Sequence, residues 1–166
     1  LVQFILQPIL IAGVLFHFVM GFVLEWQNRK ARPVTYAMYK GSRNSMFVSR
    51  NMIISGIVIL SFLVLHFYDF WVPEMDYKYI QVKPEDPDRY YEELIHKFES
   101  PIRVSLYCLS FIFLGLHLVH GLSSSTQSLG TNNKYASTIQ KISYAFGIGI
   151  PLGFCFIALY HFFIHL

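Results

Sequence analysis

Hydrophobic residues in this chain fall into four long blocks separated by polar stretches. The blocks cover about residues 1–24, 51–72, 102–122 and 142–164. A helix needs about 20 mostly apolar residues to cross a bilayer, and each block has roughly that length. Backbone groups in lipid find no water to bond, so each block must be helical. The pattern therefore predicts an all-α transmembrane helix bundle with four visible spans, forming one domain over residues 1–166.

Composition and charge support the membrane assignment. Only 14% of the residues are charged, against about 25% in an average soluble domain. The pI is near 8.9, but the basic residues flank apolar spans instead of lining one polar face, which argues against nucleic acid as a partner. Cys108 and Cys155 lie in apolar blocks and are expected to be small buried hydrophobes. The absence of a Cys-x-x-Cys-His motif excludes covalent c-type haem attachment.

The connections between the blocks differ in charge, and this predicts their orientation. The first connection, residues 25–50, and the last, residues 123–141, are basic, whereas residues 73–100 carry eight acids and four bases. Basic connections stay on the cytoplasmic side of a membrane. We therefore expect residues 73–100 to form an outer acidic loop of a multi-pass membrane protein.

A short helix is predicted inside that acidic loop. The segment Asp88–Phe98 has helical spacing, with Asp86 or Asp88 as its cap. Tyr90, Leu94 and Phe98 would then share one face. Either this face rests on the membrane or on a partner, or the segment is a solvated lid between two spans.

Histidines inside the spans are the main candidates for chemistry. An ionisable residue within a span is costly and by default suggests a function, and neutral imidazole is a common ligand of haem iron. In the predicted orientation, His17, His117 and His120 lie in the cytoplasmic halves of their spans. His66 lies near the outer surface. His17 and His117 can therefore meet at one depth, and His66 belongs to a different level of the membrane.

Small residues accompany two of these histidines. Gly13 and Gly21 lie four residues on either side of His17, and Gly121 lies four residues after His117. Positions four apart share a helix face, and a flat macrocycle against a helix needs small neighbours there. Glycine also permits close helix packing without any cofactor. The pattern favours haem ligation by His17 and His117, with a polar helix–helix contact as the alternative.

The remaining histidines are weaker candidates for haem ligands. His120 shares much of the face of His117 and could bond a haem propionate or lie at a helix interface. His161 and His165 end the last span, where polar side chains reach the headgroups. His96 lies in the acidic loop and is expected to be solvated.

These residues resemble a known family, the dihaem cytochrome b membrane subunit of bacterial succinate dehydrogenase and the related fumarate reductases. The resemblance covers essentially the whole chain, because its motifs occur in order at the matching helix positions. The stretches that carry it are Phe16–Gly21, Gln27–Pro33, Ser42–Val48, Leu65–Phe67 and Leu116–Leu122.

The resemblance implies five spanning helices, with one haem-ligating histidine on each of the first four. The four spans here resemble helices two to five of the family. His17 and His117 would be the axial ligands of the proximal haem b, and His66 one ligand of the distal haem b. The expectation is that a further helix before Leu1 supplies the other distal ligand, with His161 as the alternative partner of His66.

The implied function is to anchor a flavoprotein and an iron–sulfur protein, and to pass electrons through two haems b to a membrane quinone, expected to be menaquinone. The basic side would dock the soluble subunits, with Arg43, Arg50 and Lys134 near the haem propionates. Asp69 and Trp71 would lie in the quinone vicinity, Asp69 handling protons unless it is an ordinary interfacial acid. The rivals are a cytochrome b subunit of a hydrogenase or formate dehydrogenase, and a haem-free transporter with a histidine proton relay.

Overall fold

The computed structural model describes residues 1–31, 51–84, 86–130 and 135–164. These residues form helices, and no strand occurs among them. Four helices are long and apolar enough to cross a membrane: Val2–Lys30, Met52–Ile80, Pro101–Ser128 and Ala136–Ile164. The predicted all-α class and the four apolar spans are therefore confirmed, and they indicate a multi-pass membrane protein.

The chain divides into two compact units, Leu1–Gly56 and Ile57–Leu166. In the first unit, α1 spans Gln7–Lys30 and follows a π-helical turn at Val2–Leu6. No residue of α1 is buried, which suits a helix whose apolar surface faces lipid. Its last turn carries Arg29 and Lys30, whose positive charges favour the negative end of the helix dipole.

Helix α2 spans Met52–Ile80 without a break, and its residues from Ile57 onwards belong to the second unit. It is α-helical over Met52–His66 and contains a π-helical turn at Phe67–Trp71. The helix runs on to Ile80, past the end of the predicted span 51–72 and into the predicted outer loop 73–100. The extension is stabilised by an ion pair one turn apart, with Lys78 Nζ 2.6 Å from Glu74 Oε1.

Three further helices complete the second unit. They are α3 over Arg89–Phe98, α4 over Pro101–Ser128 and α5 over Ala136–Ile164. The short helix predicted in the acidic segment is thus confirmed as α3. Asp88 occupies its N-cap position without a side-chain cap bond, and the Asp86 carboxylate accepts a bond from the Asp88 amide at 3.1 Å.

The core of the second unit lies where α2, α3, α4 and α5 meet. Its buried hydrophobic residues are Phe98, Val104, Tyr107, Phe111 and Ala158. Phe98 reaches this core from α3, and Leu94 packs against it, whereas Tyr90 on the predicted face is 50% exposed. The face predicted for α3 therefore packs mainly on the protein itself.

Helices α4 and α5 make the most extensive contact in this unit. A Cβ atom on Gly147 would lie 2.6 Å from Val119 Cγ2 and 2.8 Å from Val119 N. A Cβ atom on Gly115 would lie 3.2 Å from the Gly147 carbonyl oxygen. Small residues thus let the two backbones touch, as is common between membrane helices. We call these residues the glycine seam.

Candidate functional site

His66 ends the α-helical part of α2, and aromatic rings surround its imidazole. The ring stacks on Phe62 with centroids 5.7 Å apart, and it lies 5.3 Å from Phe70 and 6.4 Å from Tyr107. Its Nδ1 atom is buried and has no hydrogen-bond partner in the described part of the chain. An imidazole nitrogen buried in this way is costly unless a ligand or a further group completes it.

Asp69 is fully buried, in the π-helical turn that follows His66. The Tyr107 hydroxyl donates to Asp69 Oδ2 at 3.0 Å, and Arg103 Nε lies 3.1 Å from the same oxygen. Lys97 Nζ lies 3.9 Å from Oδ1, which accepts no hydrogen bond from any described residue. We call these four residues the Asp69 cluster. Its two cations offset the charge of a carboxylate that could not otherwise be buried.

Three helices build the Asp69 cluster. Arg103 and Tyr107 lie four residues apart on α4 and so project from one face of that helix. Lys97 comes from the last turn of α3. Asp69 lies in a π-helical turn, which changes the direction of its side chain relative to a regular α-helix. Such turns inside long helices are frequent at functional sites.

A second polar group, the Glu74 cluster, joins the end of α2 to the start of α3. The Glu74 carboxylate is paired with Lys78 and Arg89 and accepts a bond from the Tyr90 hydroxyl at 3.0 Å. Arg89 also bonds Glu93 at 2.5 Å. Burial alone would lower the pKa of the Arg89 guanidinium, but its hydrogen bonds to Glu74 and Glu93 raise it, leaving the pKa above its ordinary value. Arg89 therefore stays charged and holds the cluster together.

A cavity of about 370 Å³ lies between α2 and α3, beside His66. Its walls are aromatic near His66 and polar towards the Glu74 cluster. We call it the His66 cavity. Its lining residues are His66, Phe67, Phe70, Trp71, Glu74, Tyr90, Glu93 and Leu94. An apolar pocket with a few converging polar groups is the usual form of a small-molecule site.

The structure brings some of the predicted residues together. His66 and Trp71 line the same cavity, and Asp69 contacts Tyr107, the neighbour of His66. Asp69 is fully buried and not solvated, and its assignment to the quinone vicinity stays a prediction.

The other predicted ligands lie elsewhere. His17 is exposed on α1 in the first unit, whereas His117 and His120 are half-buried on α4 in the second unit, so the proposed pairing of His17 with His117 stays a prediction. The His161 ring lies 5.8 Å from the Tyr91 ring. The predicted residues that fall outside the described part of the chain are Arg43, Arg50, Lys134 and His165.

The exposed histidine of the acidic segment behaves as expected. His96 Nδ1 lies 3.3 Å from Glu99 Oε2, and the His96 side chain is 82% exposed. It therefore serves as a reference for the buried histidines in mutational tests. Among the described residues, no three His, Cys, Asp or Glu side chains are placed to hold a metal ion together. Haem iron needs only two protein ligands, so this finding does not bear on haem.

Sequence reasoning missed Tyr107, Arg103 and Lys97 as site residues. A signal for them was present. Arg103 and Tyr107 are polar residues spaced by four at the start of an apolar span, a spacing that places both on one face and favours a buried acidic partner. Nothing in the sequence identified that partner as Asp69.

Comparisons with known proteins indicate neither a family nor a function for this chain. No protein-family model matches the chain, and neither the curated proteins nor the solved structures compared with it gave a match.

Proposed function

We propose that this chain is the membrane-anchor and haem b subunit of a bacterial succinate:quinone oxidoreductase. The observation that carries the proposal is the setting of His66: an imidazole on an apolar helix, packed among aromatic rings and lining a cavity of about 370 Å³. The four apolar helices and the ordered histidine motifs support it. In this role the chain would lie in the cytoplasmic membrane and anchor a flavoprotein and an iron–sulfur subunit.

The apolar, aromatic setting of His66 supports b-type haem as the group that this chain would bind. His66 would supply one axial ligand of one haem, and His17 and His117 the two ligands of the other, each through a neutral imidazole. His120, Arg43 and Arg50 would be placed to contact propionates. Bound haem would supply one-electron transfer between the iron–sulfur partner and the quinone. The protein sets its potential through axial ligands, burial and nearby charge.

The proposal assigns the quinone vicinity to the end of the second unit that carries α3. Trp71 lines the His66 cavity there and offers an aromatic wall. The Asp69 carboxylate accepts a hydrogen bond from the Tyr107 hydroxyl. It would hold that phenol beside His66 and handle protons during reduction of menaquinone. While the Asp69 carboxylate is ionised, Arg103 and Lys97 offset its charge.

A visible difference spectrum of the purified protein tests the proposal. Reduced-minus-oxidised spectra should show low-spin b-type haem in the wild type. His66→Ala should remove one haem signal, because that substitution deletes an axial ligand. His96→Ala is the matched control and should change nothing, since His96 is exposed and bonded only to Glu99 among described residues.

The possible results separate the rival functions. A wild-type protein without haem would refute the proposal and favour a histidine-relay transporter. Haem present together with a co-purifying nickel or molybdenum enzyme would replace succinate dehydrogenase by a hydrogenase or formate dehydrogenase. Haem unchanged in the His66→Ala protein would remove His66 from the ligand set.

A further inference from the structure

The Asp69 cluster carries more positive than negative charge. Among the described acids, Asp69 alone forms an ion pair with Arg103 or Lys97. On α3, Glu93 is paired with Arg89, and Glu99 lies 3.3 Å from His96. A single carboxylate therefore faces two cations, and a positive charge is left over. Such a charge beside apolar spans is costly unless an anion balances it.

Both cations of the cluster are accessible to an anion from outside the protein. The side chains of Arg103 and Lys97 are 29% and 25% exposed, whereas the carboxylate between them is fully buried. They contact the two oxygens of that one carboxylate and so lie side by side. Arg103 contacts Asp69 through Nε, and the N–H groups on its two Nη atoms can donate to a second partner.

The two cations lie where a membrane span begins. Helix α4 starts at Pro101 and carries Arg103 in its first turn. Lys97 is in the last turn of α3, directly before that span. Long basic side chains near the end of a span reach the lipid headgroups. The abundant anion at that depth is the phosphate of a phospholipid.

An apolar groove of about 340 Å³ follows the surface of α4 from the same point. Arg103 and Leu106 are three residues apart and are therefore neighbours on the helix surface, which places the groove beside the guanidinium. A lipid whose phosphate bonds Arg103 can lay an acyl chain along this surface. The residues that line the groove are Pro101, Ile102, Ser105, Leu106 and Leu109.

We propose that Lys97 and Arg103 bind the phosphate of one anionic phospholipid, whose acyl chain lies in the groove along α4. Arg103 donates charge-assisted hydrogen bonds to the phosphate, and Lys97 adds a second positive charge. Asp69 holds the two cations side by side and is a positioning residue of this site. The site uses neither haem nor quinone, so it stands or falls independently of the function proposed above.

The excess charge predicts which phospholipid is preferred. A lipid with a net negative charge, such as phosphatidylglycerol, balances it. Phosphatidylcholine has the same phosphate but adds a choline cation, which the cluster repels. Native mass spectrometry of the full chain in detergent, with equal amounts of both lipids of matched acyl chains, measures the preference. We expect one phosphatidylglycerol to be retained about fivefold more often than phosphatidylcholine.

Substitutions of the two cations locate the site. Lys97→Gln should weaken the binding of phosphatidylglycerol about fivefold, the usual contribution of one basic residue near an anionic membrane surface. Arg103→Gln should weaken it more, because it also removes the hydrogen bonds to the phosphate. Lys83→Gln is the matched control, since Lys83 is exposed and lies over the Tyr77 ring, and it should leave binding unchanged.

The other outcomes would overturn the site. Equal retention of both lipids by the wild type would contradict a charge-selective site, and an equal loss with Lys83→Gln would mean unspecific attraction to a basic surface. Displacement of the lipid by an excess of inorganic phosphate would show a site for free anions instead. If Arg103→Gln proves poorly folded, Lys97→Gln alone decides, because Asp69 then keeps its contacts with Arg103 and Tyr107. Unchanged lipid binding in that variant would refute the proposal.

Discussion

Along α4, the contacts of the first two turns differ in kind from those a few turns later. Near its start, Arg103 and Tyr107 bond the buried carboxylate of Asp69. Near Gly115 and Val119, the contacts are with the backbone and small side chains of α5. One helix is therefore fixed to its neighbours in two ways, by the Asp69 cluster at one end and by the glycine seam further along.

The difference follows from the surroundings of a membrane helix. Lipid is as apolar as leucine, so helices gain little from burying hydrophobic side chains against each other. They gain instead from close van der Waals contact, which needs small residues, or from hydrogen bonds, which need polar ones. The glycine seam is stabilised by close van der Waals contact and depends on side-chain volume. The Asp69 cluster is stabilised by hydrogen bonds and ion pairs and depends on charge.

Removing the charge of Asp69 should have the largest effect. Asp69→Asn keeps the shape but leaves Arg103 and Lys97 without their anionic partner, and should lower the free energy of unfolding by about 3 kcal/mol. The loss should not be greater, because Arg103 and Lys97 are 29% and 25% exposed and can turn towards water or headgroups. Unfolding in detergent by SDS titration measures it. Asp88→Asn, at an exposed N-cap without a side-chain bond, is the control.

If Asp69→Asn and Asp88→Asn had equally small effects, the Asp69 cluster would not be a major source of stability. The contrast with the glycine seam would then be one of composition only. If Asp69→Asn instead stabilised the protein, the buried carboxylate would be retained for function at a cost in stability. That result would strengthen the case for Asp69 in the proposed chemistry.

Adding volume to the seam should have the next largest effect. A methyl group on Gly147 would meet Val119 backbone atoms at 2.8 Å and 3.1 Å, which cannot move without separating the helices. Gly147→Ala should therefore cost about 2 kcal/mol. Gly149→Ala is a matched control on the same helix, because no atom of the described residues lies within 4 Å of its added Cβ. The same SDS titration compares the two, and an equal response would contradict the seam.

The sequence predicted the spans well because crossing a bilayer is a requirement on composition. It predicted the end of α2 poorly because charge after Val72 was taken to mean a loop. Glu74 and Lys78 are in fact spaced by four and support a further helical turn. The pairing was visible in the sequence, but a membrane boundary and a helix boundary were treated as the same thing.

The site was predicted in part. His66, Asp69 and Trp71 stood out because each is unusual within or beside an apolar run. Tyr107 did not, although it contacts both His66 and Asp69. It lies 38 residues from Asp69 along the chain, and only the packing of α4 on α2 brings the two together. Such long-range pairs depend on tertiary structure, which a single sequence does not specify.

The smallest effect is expected from Tyr107→Phe, which tests how far the Asp69 cluster depends on charge alone. The substitution keeps the aromatic ring among Phe62, Phe98 and His66 and removes only the hydroxyl that donates to Asp69 at 3.0 Å. Asp69 Oδ2 still lies 3.1 Å from Arg103 Nε, so we expect a loss of only about 1 kcal/mol. SDS titration measures it, with Tyr144→Phe on α5 as the control. A loss as large as that of Asp69→Asn would show that the neutral hydrogen bond, and not the ion pairs, holds the buried carboxylate.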